Sequence, residues 1–261
     1  MSANEIIEYM ESLRNDEQRR VLMGFFKTGP GEYGYGDEFL GLKVPQTREV
    51  VKAALTVNKE PLTVNPEPLT INEVPELLMS KWHEVRLCGF LILVAKFEKL
   101  ATKRLENDAD AIKGRDEILT MYLQYAERAN NWDLVDLSAP KILGASLLSP
   151  QKGEDWKRQM LDELAQSDCL WKQRMSIVCT WKTSQMGDPS WCLRYAKIHL
   201  HHPHDLMHKA VGWMLREMGK RCSMDLLREF LQQHAHEMPR TMLRYAIEKM
   251  SDEERKKWMS V

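Results

Sequence analysis

The sequence contains no run of about 18 uncharged apolar residues, the least that spans a bilayer as a helix. Its start, Met1-Ser2-Ala3-Asn4-Glu5, has neither the basic opening nor the apolar stretch of a signal peptide, so none is expected. Cysteine is sparse: Cys88, Cys169, Cys179, Cys192 and Cys222 form no Cys-x-x-Cys pair. An odd number in no ligand spacing excludes a zinc ribbon and fits free, buried thiols in a reducing cytoplasm. No P-loop and no Gly-x-Gly-x-x-Gly after a strand occur, so nucleotide hydrolysis and dinucleotide chemistry have no motif to rest on. Alternation of period two is missing, as are Asn-Gly or Asp-Gly turns joining apolar runs, which argues against hairpins. Net charge is nearly absent as well, at -1.

What is present is helical. The 261 residues are 43% hydrophobic and 29% charged, enough for a well-buried core and unlike a disordered chain. Apolar residues recur at three and four, as in Val74-Leu77-Leu78, Val85 through Phe97, and Met207-Val211-Met214-Leu215-Met218. Breaks fall at Ser149-Pro150, Gly187-Asp188-Pro189 and His202-Pro203. This pattern predicts an all-α chain of roughly twelve to fourteen helices. Charge is unevenly spread: residues 1–170 hold 21 Lys+Arg against 28 Asp+Glu, whereas residues 171–261 hold 16 against 10 and seven of the eight histidines. Such asymmetry hints at a polyanionic partner.

Five segments superpose, at 82–89, 132–139, 170–177, 205–212 and 238–245. Each should open a helix, with Arg86, Asp136, Arg174, Lys209 and Met242 in the equivalent slot one turn in. These slots lie 50, 38, 35 and 33 residues apart, near the length of a two-helix HEAT-like repeat. Stacked repeats would form a solenoid with those slots along its concave face. A tandem heptapeptide at 57–72, with Pro61, Pro66 and Pro68, cannot be helical throughout and is expected to be an exposed insertion.

Few clusters suggest chemistry. The glycine-rich stretch at 29–36 follows no strand and reads as a flexible loop, in which Tyr33 and Tyr35 could reach a ligand. His199, His201, His202, His204 and His208 are dense, but Pro203 interrupts them and no Glu follows His204, so a polar turn is expected and a metal is not. More telling is the stretch at 130–139. Asn131 suits an N-cap, Asp133 suits the positive end of the helix dipole, and Trp132 and Asp136 are four apart on one face. An aromatic plate one turn from a carboxylate can hold a cation or a developing one. The same residues also fit a purely structural arrangement: Asp133 capping, Trp132 in the core, and Asp136 bonded to an Arg of a neighbouring repeat.

Five motifs resemble the AlkD-type DNA alkylation-repair glycosylases over nearly the whole chain: FLGLKVP at 39–45, WHEVR at 82–86, NWDLVD at 131–136, LWKQR at 170–174 and HKAVGWMLRE at 208–217. The resemblance implies a single domain, 1–261, built as a right-handed superhelical solenoid of HEAT-like repeats whose concave groove holds duplex DNA. It implies excision of N3- and N7-alkylated purines by a cytoplasmic, nucleoid-associated bacterial monomer that needs no metal or other cofactor. The family's active cleft falls here on Trp132, Asp136, Arg174 and Trp213. Asp136 would stabilise the sugar cation and position water, the tryptophans would flank the lesion, and Arg174 would hold a phosphate. Lys209, Arg86 and Arg244 are the further expected DNA contacts. The N-terminal loop departs from the family pattern, so Tyr33 and Tyr35 join them by place in the chain, not by alignment. Relatives lacking the Trp and Asp would be non-catalytic scaffolds that bind DNA or protein; both residues are present here.

Overall fold

The computed structural model describes residues 1–56 and 68–261, so most of the 57–72 heptapeptide segment lies outside the described residues. Among the described residues there are fifteen α-helices, three short 3-10 turns and no strand. The chain is all-α, as the periodicity requires. It divides into two compact units, Met1–Leu134 and Val135–Val261.

The first unit comprises α1 (Ala3–Ser12), α2 (Asp16–Phe25), α3 (Val44–Leu55), α4 (Val74–Leu78), α5 (His83–Leu100), α6 (Ala109–Gln124) and the first turn of α7 (Trp132–Leu147). Ser2 and Glu5 close a reciprocal capping box at α1, whose buried residues are Ala3, Ile6 and Met10. Helix α5 is the axis of the unit. Buried residues run along almost its whole length, from His83 to Val94 and again at Phe97, which is the signature of a helix enclosed on all sides. Helices α3, α4 and α6 pack against it. Its first turn also anchors the long α2–α3 connection: the buried Glu84 carboxylate accepts the backbone N–H groups of Leu40, Gly41 and Leu42 at 2.8, 2.8 and 3.0 Å. The end of the heptapeptide segment differs from the expected exposed insertion. Leu69 is buried and its N–H reaches the Ala54 carbonyl at 3.1 Å, because an apolar side chain next to the end of α3 gains more from burial than from solvent.

The second unit continues α7 and adds α8 (Glu154–Ala165), α9 (Leu170–Val178), α10 (Thr180–Gln185), α11 (Ser190–Ile198), α12 (Asp205–Arg221), α13 (Met224–His234), α14 (Arg240–Ala246) and α15 (Asp252–Met259). Helix α12 is its centre, burying Met207, Val211, Met214, Leu215 and Met218 and contacting α9, α10, α11, α13 and α14. Two glycines allow close approach. A Cβ on Gly212 would meet the Met242 carbonyl of α14 at 2.3 Å, and one on Gly144 of α7 would meet the Cys179 carbonyl at 2.3 Å.

All five repeat-like segments open helices, namely α5, α7, α9, α12 and α14. Cys88, Cys179 and Cys192 are buried, Cys169 and Cys222 half-buried, and all five are unpaired thiols. No helix of the described residues is long and apolar enough to cross a membrane.

Glu84→Gln should lower stability by about 3 kcal/mol, because an amide replaces charge-assisted bonds and turns an N–H2 group toward buried N–H donors. Urea melts of the two proteins check this; equal midpoints would mean that the α2–α3 connection is held by its apolar side chains alone.

Candidate functional site

The second unit brings two of the expected residues into direct contact. Asp136, in the second turn of α7, and Arg174, in the second turn of α9, form a two-pronged ion pair. Nε donates to Oδ1 at 2.9 Å and Nη2 to Oδ2 at 2.8 Å. The Arg174 Nη1 group donates to the Leu206 carbonyl at 2.6 Å, in the first turn of α12. Three of the five guanidinium N–H groups are thus used, and one arginine ties α7, α9 and α12 together. Arg174 is buried, whereas the Asp136 side chain keeps 15% exposure, so the carboxylate can be reached from solvent. Pro140 lies inside α7 and has no N–H for the carbonyl four residues back, so the helical ladder is interrupted at the backbone carbonyl of Asp136.

Trp213 is half-buried on α12, seven residues and about two turns beyond Leu206. Gly212 beside it sets the close packing on α14. Lys209, one turn before Trp213, pairs with Asp205 at 2.7 Å. Arg244 is exposed on α14.

The first unit holds Trp132, half-buried at the start of α7, where its N–H donates to Asn131 Oδ1 at 2.9 Å. Its ring stacks on Phe26 (5.2 Å, 24°) and meets Phe25 edge-on (5.8 Å, 77°). Phe25 is 60% exposed. Phe26 stacks in turn on the buried Phe39, which lies flat on the His83 ring at 4.3 Å. Trp132 is therefore the outermost plate of an aromatic stack built from the α2–α3 connection.

That connection is not the loose loop expected of its glycines. Successive turns pin it: Gly34 N–H reaches the Lys27 carbonyl at 2.9 Å, Tyr35 N–H that of Glu32, and Asp37 N–H that of Gly34. Tyr33 is half-buried and Tyr35 is 69% exposed. Arg86 requires a correction. Expected on the DNA, it is only 2% exposed and bonds the Asp37 carboxylate and the carbonyls of Ser80 and Lys81 (3.0 and 2.8 Å). An arginine at this depth is retained because its two terminal nitrogens meet the Asp37 carboxylate and two carbonyls, although its Nε–H is buried without an acceptor.

Sequence reasoning missed the group that Arg86 belongs to. His83 sits wholly buried between two carboxylates, with Nδ1 2.8 Å from Asp37 Oδ2 and Nε2 2.9 Å from Asp133 Oδ2. Burial pulls the imidazole pKa down, but the charges and hydrogen bonds of Asp133 and Asp37 outweigh it and raise the value to about 9. Burial likewise pushes the Asp37 carboxyl up; His83 and Arg86 overcome this and leave it below its ordinary value. Only the motif WHEVR at 82–86 pointed here, and it did not say which carboxylates His83 would meet.

The histidines of the second unit close a turn. His202 bonds Gln173, His208 Nε2 reaches the His202 carbonyl at 2.5 Å, and His204 caps α12. His199 is buried against Ser176, and burial pushes it down to about 4. Among the described residues no three His, Cys, Asp or Glu side chains converge as metal ligands would. Several basic residues are tied to the fold: Arg216 to Glu248 and Glu217, and Arg221 to Glu217 and the Trp181 face.

A pH dependence of stability follows from His83. Its raised folded value adds stability in full below about pH 6.5 and loses it as pH rises through about 9, a loss on the order of 3 kcal/mol. The depressed Asp37 adds stability above its ordinary value and loses it only in stronger acid. The urea midpoint should therefore fall between about pH 7 and about pH 9.5, and His83→Gln should start lower and stay flatter. Parallel curves for the two proteins would remove His83 as the source.

Comparison with known proteins places these residues in context. A family profile described as "DNA alkylation repair enzyme" matches residues 6–250. No curated protein matches. The solved structure of a predicted DNA alkylation repair enzyme from Enterococcus faecalis shares the fold with a TM-score of 0.60 at 14% identity, covering 92% of this chain and 97% of that one. The all-α fold agrees with that structure, and a profile match over nearly the whole length settles membership: the chain belongs to the DNA alkylation repair enzyme family.

Proposed function

We propose that this protein is a monofunctional DNA glycosylase that hydrolyses the N-glycosidic bond of purines alkylated at N3 or N7 in duplex DNA. The observation that carries the reading is the Asp136 carboxylate, partly exposed and fixed by two N–H donors of Arg174. A purine alkylated at N3 or N7 bears a positive charge. When the C1′–N bond breaks, its electron pair goes to the base, which leaves neutral, and the sugar takes on oxocarbenium character. Asp136 stabilises that charge and takes a proton from the water that attacks C1′, leaving an abasic site. The family motif assigns Trp132 and Trp213 to the sugar and the cationic base, a task that aromatic ring faces suit.

In this reading Arg174 has a different task from the phosphate contact that the family resemblance suggests. It is turned inward and holds the carboxylate, taking two of its roughly four lone-pair sites. Both Asp136 oxygens accept N–H from it, so the group is set up as an anion and not as a proton donor. A neutral base, which needs protonation to leave, is a poor substrate. Lys209, Arg244 and Tyr35 stand as the phosphate and backbone contacts, within one domain of HEAT-like repeats.

Free 7-methylguanine should be released from a methylated duplex, with or without EDTA, while uracil in the same duplex survives. Asp136→Asn should slow single-turnover release on the order of 100-fold or more. Breaking a largely buried pair should also cost that variant about 2 kcal/mol of stability, so its folding is checked by circular dichroism. Duplex binding without release by the wild type would favour a non-catalytic scaffold. An unaltered rate in Asp136→Asn would remove Asp136 from the chemistry.

A further inference from the structure

The cluster of Asp37, His83, Asp133 and Arg86 has no part in the reaction just described, yet it ends beside a residue that does. Asp133 directly follows Trp132 in the first turn of α7, and its Oδ2 lies 2.9 Å from His83 Nε2. The opposite ring nitrogen lies 2.8 Å from Asp37 Oδ2. A neutral imidazole has one N–H, so bonding both carboxylates requires the imidazolium. The same ring packs on Phe39 at 4.3 Å and on Phe26 at 5.0 Å, and Phe26 stacks on Trp132 at 5.2 Å. Two routes thus join His83 to Trp132: the backbone of Asp133 and the ring of Phe26.

We infer that His83, held as an imidazolium between Asp37 and Asp133, is a positioning residue that fixes where Trp132 stands and so governs base excision. The catalytic half of this statement rests on the glycosylase reading; the structural half does not.

The charges facing His83 come from three elements: Asp37 from the α2–α3 connection, Arg86 from α5 and Asp133 from α7. Arg128 donates to the carbonyls of Leu78 and Ser80, near enough to feel Arg86 and Asp37. Glu84, the neighbour of His83, is turned away toward Leu40, Gly41 and Leu42. With His83 charged, Arg86 and His83 balance Asp37 and Asp133. Without that proton the two carboxylates compete for one N–H. Asp37 keeps Arg86, whereas the other Asp133 oxygen is buried without a partner. Whichever bond is lost, the ring turns from one carboxylate, and Phe26 and the start of α7 shift with it. The raised His83 value of about 9 agrees with this account.

The test uses full-length protein carrying 5-fluorotryptophan, with the Trp132 fluorine resonance identified as the one missing in Trp132→Phe. In the wild type this resonance should move between about pH 7 and about pH 9.5 with a midpoint near 9. In His83→Gln and Asp133→Asn it should be displaced and insensitive to pH. Asp133→Asn, which keeps an acceptor oxygen, carries the comparison if His83→Gln fails to fold. Single-turnover excision by Asp133→Asn should fall about tenfold or more with the duplex Kd changed less than about threefold, as expected for misplacement of a reacting group. A Trp132 resonance indifferent to pH and to Asp133→Asn would overturn the inference, as would a displaced resonance with an unchanged excision rate. If the resonance behaves as expected but the wild type releases no 7-methylguanine, the structural half is upheld and the glycosylase reading falls.

Discussion

A buried guanidinium is costly to place, and in the second unit the placement of α7, α9 and α12 answers to one. Arg174 leaves water only because Asp136 accepts two of its N–H groups and Leu206 a third. Removing any one of these acceptors leaves a charge in a poorly solvated place, which typically costs several kcal/mol. The helices must therefore stay where the acceptors are. Gly144 lets α7 meet the α9–α10 junction at backbone distance, and Gly212 does the same for α12 on α14. The carboxylate held in this way is partly exposed and rigid, the state in which a fixed charge acts on a developing cation without reorganising.

The first unit solves a similar problem with different groups. Its long α2–α3 connection carries backbone N–H groups and an aspartate into the interior, and each finds a partner on α5. Glu84 takes three N–H groups, and His83 and Arg86 take Asp37. The aromatic stack from Phe39 through Phe26 to Trp132 rests on this base. The half-buried indole of Trp132 is the last layer of an aromatic stack that rests on a buried polar cluster. Because His83 must be charged to serve both carboxylates, the support of Trp132 is tied to a proton.

Helix content was legible because a buried helix face repeats every three to four residues whatever it packs against, and the five helix starts at Trp82, Trp132, Leu170, Asp205 and Met238 could be aligned for that reason. Trp132, Asp136, Arg174 and Trp213 could be picked out together from family motifs. What the sequence left open was the choice between Asp136 free to act and Asp136 bonded to a neighbouring arginine. The structure has the second arrangement, and the proposed chemistry makes that bond part of the first. Arg86 could not be told from a surface arginine because its partner, Asp37, lies 49 residues away in a loop whose glycines suggested looseness. His83 was hidden for the same reason, with partners 46 and 50 residues away. Long-range pairing of polar groups leaves no periodicity to read.

The account stands or falls on whether Asp136 and Arg174 act as one unit. A double-mutant cycle of Asp136→Asn, Arg174→Gln and the pair, followed by single-turnover excision of 7-methylguanine from duplex DNA, measures this directly. If the arginine works by holding the carboxylate, it has nothing left to hold once Asp136 is gone, and the double variant should be no slower than Asp136→Asn alone. Losses that multiply would contradict the account and place Arg174 on the DNA, acting independently of the carboxylate.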